Sequence, residues 1–350
     1  MTGAAALAGE HPTDAPGRDP GVPATADGAA ARLRHLCVPD WRLESGRRVH
    51  VQQAFTLLGQ LDADGGNLVV LFHALTGGPD PRTWWPAIVG PGRLLDPARY
   101  AILTPNHIGS CYGTTFTPAS PAGGEAEVTP RDMARLAWAL VDALGVPAVR
   151  LAAGGSLGGM VTMEFAVQQP GRVAAAVVAA APAAHTAHAI GQNHIQRQIL
   201  ALGGDAGLEL ARMAAMLTYR SPAELERRFA RSRRDGRFAV QTYLEHHGRK
   251  LRRRFQADAY RQLLDAMDAH DVGRGRGGAA AALRGFRRRL IGVAVTTDQL
   301  YPPEDVATWV GSAGGRYRLV ASEHGHDAFL LEEEQMGLII AEALAPEAAV

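Results

Sequence analysis

A single serine, Ser156, stands between two pairs of glycines in the stretch AAGGSLGGM at residues 152–160. The mostly apolar residues 148–153 predict a buried strand before it, and the residues after it predict a helix. Gly154, Ser156 and Gly158 fit the pattern G-x-S-x-G, which in a strand–turn–helix setting holds the serine on a tight turn. Glycine removes the side chains that would collide there, so the pattern predicts an exposed nucleophilic hydroxyl. The alternative is a glycine-rich turn in which the serine only caps the helix.

A neutral serine is a weak nucleophile and needs a base that an acid orients. Asp298 follows the apolar run LIGVAVTT directly, and His326 lies further along, in EHGHDAF. The order Ser, Asp, His and the acid at the end of a strand both fit such a site. The predicted catalytic residues are therefore Ser156, Asp298 and His326, with Asp305 as the alternative acid and His324 as the alternative base.

Two backbone amides are candidates for the oxyanion hole, which stabilises the charge that develops during acyl transfer. Leu157 supplies one amide at the start of the helix after Ser156. The second donor should lie in a loop after an early strand, and LFHALTGG at residues 71–78 predicts the amide of Leu75. His73 lies inside the apolar run, so we interpret it as a histidine of the core and not as a base.

The elements around these residues predict a mostly parallel α/β sheet with crossover helices. Continuous apolar runs at 67–75 and 99–106 indicate strands that are buried on both faces. The alternating stretch 49–59 predicts an antiparallel strand at the edge of the sheet. A helix is predicted over 129–145, with Thr129 as its N-cap.

The chain is expected to fold as one α/β domain that carries a helical lid. Residues 1–30 contain few large apolar side chains and predict a disordered tail. Helical periodicity without a convincing strand indicates the lid at 185–286. The core domain then comprises 31–184 and 287–350.

Composition excludes several classes of function. The 350 residues carry a formal net charge of +1 and only 2 cysteines, so nucleic acid, membrane and a disulfide framework are not expected. The start of the chain has no signal-peptide pattern, and we expect a cytoplasmic protein. His185, His188 and His194 lack a completing carboxylate or cysteine, so no metal is expected. The basic stretch GRKLRRRF at 248–255 is interpreted as a solvated helix face.

Eight blocks of the sequence together resemble the homoserine O-acetyltransferase family. They occur in family order from about residue 40 to 340. The blocks are HALTG (73–77), WWPAIVGPGRLLD (84–96), GSCYGTT (109–115), GGSLGGM (154–160), NHIQRQ (193–198), LTYRS (217–221), MDAHDVGRGRGG (267–278) and GHDAFL (325–330). The resemblance implies an α/β-hydrolase fold with a helical lid, commonly a homodimer through that lid, and a role in methionine biosynthesis.

The resemblance also implies roles for individual residues. Ser156 would be the acylated nucleophile, His326 the base and Asp298 the acid that orients it. Arg220 in LTYRS would bind the carboxylate of the substrate, and Asp327 in GHDAFL would bind its amino group. A guanidinium fork matches a carboxylate, and an acid beside the histidine suits an ammonium group. The expected reaction is ping-pong acyl transfer to homoserine. Its co-substrate is acetyl-CoA or another acyl-CoA, and no bound cofactor is expected.

Several related activities would use the same residues. An enzyme that uses succinyl-CoA as the donor, or serine as the acceptor, would differ from the expected enzyme in the shape of its substrate pocket. A carboxylesterase would use the same triad with water as acceptor, and a noncatalytic binding protein on this fold is the remaining alternative.

Overall fold

The computed structural model of the chain describes residues 6–7, 31–119 and 127–346. The tail predicted over 1–30 lies outside these ranges, apart from Ala6–Leu7, which pair antiparallel with Leu36 and Cys37.

One large sheet runs through the described part of the chain, and a short two-stranded hairpin lies apart from it. The strands are β1 (Ala6–Leu7), β2 (Arg34–Arg42), β3 (Arg48–Leu58), β4 (Leu68–Phe72), β5 (Ala101–Pro105), β6 (Thr115–Pro118), β7 (Leu151–Gly155), β8 (Ala175–Ala179), β9 (Arg233–Arg234), β10 (Arg237–Phe238), β11 (Arg289–Val295) and β12 (Arg316–Val320). The order in the large sheet is β1-β2-β3-β5-β4-β7-β8-β11-β12, with β6 paired to β3. From β5 to β12 the neighbouring strands are parallel, which confirms the predicted mostly parallel sheet.

Apolar residues on both faces of the parallel strands explain why the sequence shows continuous runs and not alternation. In β4, Leu68, Val70 and Phe72 face one apolar cluster, and Val69 and Leu71 face another. Helices and loops cover both faces, so each strand is buried from both sides.

The prediction of an edge strand at 49–59 is wrong, although its antiparallel direction is right. β3 lies between β2 and β5, and β6 also pairs with it. The sequence does not predict β2 because Pro39 and Asp40 interrupt its alternation of apolar and polar residues. At this point the pairing of β2 with β3 shifts register, between Val38 and Trp41.

Ten α-helices are found in the described residues. They are α1 (Pro130–Ala143), α2 (Leu157–Gln168), α3 (Ala187–Tyr219), α4 (Pro222–Phe229), α5 (Ala239–Arg252), α6 (Ala257–Asp268), α7 (Ala279–Arg284), α8 (Pro303–Ala313), α9 (Ala328–Leu331) and α10 (Glu333–Leu344). The prediction for α1 is confirmed, because the Thr129 hydroxyl accepts a hydrogen bond from the Asp132 amide and Asp132 accepts one from the Thr129 amide.

Helices α3 to α7 lie between β8 and β11 in the chain, and we refer to Ala187–Arg284 as the helical insertion. The long helix α3 packs against α5 and α6. At Gly248 a side chain would come within 2.7 Å of the Glu209 carbonyl oxygen, so glycine permits this close approach. None of the described helices combines the length and apolar character that crossing a membrane requires.

Candidate active site

The turn between β7 and α2 holds Ser156 in a backbone conformation that is rare for residues other than glycine, with φ of 56° and ψ of −124°. The Ser156 amide donates to the Ala179 carbonyl at 2.9 Å, and its carbonyl accepts from the Met160 amide at 3.0 Å. Such a conformation costs free energy and persists only where the surroundings impose it. This is the strained strand-to-helix turn that the motif predicts.

The glycines around Ser156 permit close packing of the turn. A side chain on Gly154 would overlap the backbone of Gly158, and one on Gly158 would overlap the Phe72 carbonyl oxygen. A side chain on Gly155 would overlap the ring of Phe329. The glycines thus let α2 begin directly against β4.

Ser156, His326 and Asp298 form one buried chain of hydrogen bonds. His326 Nε2 lies 2.9 Å from Ser156 Oγ, and His326 Nδ1 lies 2.8 Å from Asp298 Oδ2. The other carboxylate oxygen of Asp298 accepts from the amides of Leu300 at 2.8 Å and Tyr301 at 3.0 Å. Both oxygens of the acid are therefore fixed, which suits an acid that orients an imidazole.

The carboxyl ends of parallel strands bring these residues together. Ser156 follows β7, Asp298 comes after β11, and His326 lies in a 3₁₀-helix after β12. Because the strands are parallel, their carboxyl ends share one edge of the sheet, where ligands of α/β folds usually bind.

The alternative residues lie elsewhere. Asp305 is exposed on the first turn of α8. His324 Nδ1 lies 3.2 Å from Glu224 Oε1, in the helical insertion. His73 is fully buried, and its ring bonds to the Ala74 carbonyl and the His107 amide. Burial lowers the pKa of His73 to about 4, as expected of a neutral core histidine.

The charges around His326 favour its protonated form. Burial lowers the pKa of the imidazole, but the charge of Asp298, its hydrogen bond to Nδ1 and the charge of Asp327 outweigh burial. The pKa of His326 is therefore raised above its ordinary value of 6.5. A base with a raised pKa accepts a serine proton more readily, provided that it starts unprotonated.

The two predicted oxyanion donors lie on the loop after β4 and at the start of α2. Leu75 is buried three residues after the end of β4, and Leu157 is the first residue of α2. Across the described residues, neither amide donates to a protein acceptor, as the prediction of two oxyanion donors requires.

Arg220 and Asp327, to which the family resemblance assigns substrate binding, lie next to each other. Arg220 Nη2 is 3.3 Å from Asp327 Oδ2, and Arg220 Nη1 is 3.4 Å from Glu224 Oε1. The Nε atom of Arg220 is buried and makes no hydrogen bond within the described ranges. The side chains of Arg220 and Asp327 are 11% and 16% exposed, so few water molecules screen their charges.

Aromatic residues that sequence reasoning missed surround the imidazole. The ring of Tyr301 meets that of His326 edge-on at 5.2 Å, and Tyr301 Oη lies 3.0 Å from His185 Nε2. His185 Nδ1 in turn lies 3.0 Å from Asp268 Oδ1. Tyr301 follows Asp298 so closely in TTDQLYP that its place at the strand end was available as a signal. The contact of Tyr301 with His185 joins residues 116 positions apart, and the sequence contains no signal that predicts it.

The arrangement can carry out acyl transfer through Ser156. No group of acids, histidines and cysteines that could hold a metal ion is present among the described residues.

Comparisons with known proteins give a consistent result. A sequence model of the α/β hydrolase fold matches residues 67–333. The homoserine O-acetyltransferase of Clavibacter michiganensis subsp. michiganensis is 41% identical over 349 residues, covering 86% of this chain and 90% of that protein. The homoserine O-acetyltransferase of Thermus thermophilus is 42% identical over 327 residues, covering 83% of this chain and 85% of that protein. The solved homoserine O-acetyltransferase from Staphylococcus aureus has a TM-score of 0.77 and 29% identity, over 92% of this chain and 97% of that one.

The raised pKa of His326 predicts the pH dependence of Ser156 acylation. Only the unprotonated imidazole can accept the serine proton, so kcat/KM should fall as the pH drops through a value above 6.5. Hydrolysis of p-nitrophenyl acetate measures this fall in rate, because the ester itself does not titrate in this range. The product is read at the wavelength at which p-nitrophenol and its anion absorb equally. Asp298→Asn should lower the midpoint and reduce turnover by roughly 10⁴, as in serine proteases. A wild-type midpoint below 6.5, or an unmoved midpoint in the variant, would contradict this account of the imidazole.

Proposed function

Because the chain belongs to the homoserine O-acetyltransferase family, within the α/β hydrolase fold, we propose that it transfers an acetyl group from acetyl-CoA to the hydroxyl of homoserine. The product would serve methionine biosynthesis. The observation that carries the proposal is the buried chain Ser156–His326–Asp298 beside the ion pair of Arg220 and Asp327. The hydrogen-bonded residues supply a nucleophile, Ser156, and a base, His326. The ion pair offers one charge of each sign to an amino acid.

In the first half-reaction, His326 Nε2 removes the proton of Ser156 Oγ while the oxygen attacks the thioester carbonyl. The amides of Leu75 and Leu157 bind the resulting oxyanion. When the carbon–sulfur bond breaks, the imidazolium returns its proton to the sulfur, and coenzyme A leaves as a thiol. Ser156 then carries the acetyl group as an ester.

In the second half-reaction, the hydroxyl of homoserine attacks the acetyl ester. His326 accepts the proton of that hydroxyl, and the same two amides bind the second oxyanion. Collapse of the intermediate breaks the bond to Ser156 Oγ, which regains its proton from His326. The products are O-acetylhomoserine and the free serine.

The ion pair of Arg220 and Asp327 supports an amino acid as the acceptor. The contact between the two side chains can be exchanged for contacts with the substrate: the guanidinium of Arg220 then binds the substrate carboxylate, and the carboxylate of Asp327 binds the ammonium group. Arg220 keeps Glu224 as its second partner. The Nε of Arg220, which makes no hydrogen bond to a described residue, adds a donor for a second carboxylate oxygen. Because Asp327 directly follows His326, an ammonium held there lies close to the base.

Release of coenzyme A from acetyl-CoA or succinyl-CoA tests this function. Each donor is combined with homoserine, with serine, or with water alone as the acceptor. We expect fast, sustained thiol release only with acetyl-CoA and homoserine together, because the acyl-enzyme must be discharged before the next turnover. Acetyl-CoA alone should give one equivalent followed by slow hydrolysis, and serine or succinyl-CoA should react more slowly. Equal rates with and without an amino acid would indicate an esterase. Preference for serine or for succinyl-CoA would support the corresponding alternative activity.

In the same assay, Arg220→Ala separates the two half-reactions. Loss of one member of a buried charge pair costs about 2–5 kcal/mol, so transfer to homoserine should fall by roughly one and a half to three and a half orders of magnitude. The first release of coenzyme A should stay nearly normal. Arg227→Ala is the matched control, because Arg227 is an exposed insertion arginine that pairs with Glu323. Equal losses in both half-reactions would contradict the proposed role of Arg220.

A homodimer through the helical insertion stays a prediction. Ile195, Leu202, Leu210 and Leu217 on α3 are each at least 50% exposed and recur at about every second helical turn. A row of exposed apolar side chains on one helix face supports a protein interface. Sedimentation velocity should give the mass of two chains; a concentration-independent mass of one chain would contradict it.

A further inference from the structure

Arg254, between α5 and α6 in the helical insertion, has contacts unlike those of its neighbours. Arg252 and Arg253 are exposed, as expected of a solvated helix face, and Arg252 pairs with Glu209 at 3.0 Å. Arg254 instead reaches the core domain. Its Nη1 donates to the Thr76 carbonyl at 2.6 Å and to Tyr112 Oη at 2.6 Å. The interpretation of residues 248–255 as wholly solvated is therefore wrong for Arg254.

The residue that Arg254 holds is the neighbour of an oxyanion donor. Thr76 follows Leu75, whose amide is the second donor proposed above. Arg254 also approaches the Thr76 hydroxyl, with Nη2 at 3.3 Å from Oγ1. A guanidinium that binds both the carbonyl and the hydroxyl of one residue limits the rotation of that residue and of the peptide group after it. That peptide group carries the Gly77 amide, which donates to the Ala74 carbonyl at 2.9 Å. The Ala74 carbonyl belongs to the same peptide group as the Leu75 amide, so the contact of Arg254 is relayed to that amide.

Three other carbonyls of this loop accept hydrogen bonds from residues outside the helical insertion. The Ala74 carbonyl accepts from the Gly77 amide at 2.9 Å, and the Gly78 carbonyl accepts from Trp84 Nε1 at 3.1 Å. The Pro79 carbonyl accepts from the Thr56 hydroxyl. Among the described residues, the hydrogen bonds from the helical insertion to this loop are those of Arg254 to Thr76.

Arg254 is itself held in place. The amides of Arg254 and Phe255 both donate to the Leu251 carbonyl at 2.9 Å. The buried ring of Phe255 meets that of Tyr112 edge-on at 5.6 Å. The backbone around Arg254 is therefore anchored on both α5 and the core, and the guanidinium is pre-organised.

No carboxylate of the described residues pairs with the charge of Arg254. Among the described residues, its hydrogen-bond acceptors are the neutral oxygens of Thr76 and Tyr112, and it forms no ion pair with a carboxylate. An uncompensated positive charge beside the loop favours the negative charge that develops at the oxyanion.

We propose that Arg254 is a positioning residue that holds the Leu75 amide in place for the oxyanion, so that the helical insertion completes the oxyanion hole. The inference rests on the proposed acyl transfer through Ser156. It assigns Arg254 to the formation and collapse of the tetrahedral intermediates and not to binding of either substrate. Loss of the guanidinium should therefore lower kcat for every acyl donor and leave KM nearly unchanged.

Two acyl donors separate this role from phosphate binding. Acetyl-CoA carries phosphates, whereas p-nitrophenyl acetate carries none. We expect Arg254→Ala to slow acylation about 10- to 100-fold with both donors, because small misplacement of a donor group has effects of this size. Arg253→Ala removes the same charge from the adjacent exposed position and should leave both rates unchanged. A loss confined to acetyl-CoA, chiefly in KM, would overturn the proposal in favour of phosphate binding.

Rescue separates positioning from loss of folding. Added guanidinium ion at a concentration below that which denatures the protein should restore part of the rate of Arg254→Ala, and Arg254→Lys should keep more activity than Arg254→Ala. Thermal unfolding measured alongside should show that the variants are folded. A slow variant that neither guanidinium nor lysine improves, or one with a wild-type rate, would overturn the proposal.

Acylation of the wild-type protein by the two donors distinguishes failure of this inference from failure of the proposed function. If the wild type forms no acyl-enzyme with either donor, acyl transfer through Ser156 is wrong. If the wild type is acylated and Arg254→Ala is acylated equally fast, only the role of Arg254 is wrong.

Discussion

The hydrogen bond between Ser156 Oγ and His326 Nε2, at 2.9 Å, is the interaction on which the remaining site depends. It requires Ser156 to stay in a backbone conformation that its own side chain disfavours, with φ of 56°. The close approach of α2 to β4, which Gly154 and Gly158 permit, imposes that conformation. The free energy of packing the core thus maintains the strain at the nucleophile.

The site divides its work between the sheet and the helical insertion. The carboxyl ends of β4, β7, β11 and β12 position the groups proposed for acyl transfer, namely the amides of Leu75 and Leu157 and the side chains of Ser156, Asp298 and His326. The insertion contributes Arg220, proposed to bind the amino acid, and Arg254, proposed to hold the loop of Leu75. On this proposal, hydrolases and transferases share one fold because the groups that cover the triad select the acceptor.

The sequence indicates which residues come together in the chain Ser156–His326–Asp298 better than it indicates the residues that support them, because a motif and the order along the chain locate the first group. The glycines locate Ser156, and the order of strand ends locates Asp298 and His326. Resemblance to a family, and not the pattern of charges, distinguished Arg220 from the other arginines. The bond from Arg254 to Thr76 spans 178 positions, and a basic run gives no sign of which arginine turns inward. The strand β2 was missed because Pro39 and Asp40 break its alternation.

The central claim is that Ser156 carries the acetyl group between acetyl-CoA and homoserine. Mass spectrometry of the full chain after brief exposure to acetyl-CoA tests it most directly. We expect one acetyl group, located on the peptide that contains Ser156, and its loss as O-acetylhomoserine when homoserine is added. Ser156→Ala should remain unmodified and folded. An acetyl adduct that forms on Ser156→Ala at the wild-type rate, or O-acetylhomoserine formed at the wild-type rate by Ser156→Ala, would contradict the account.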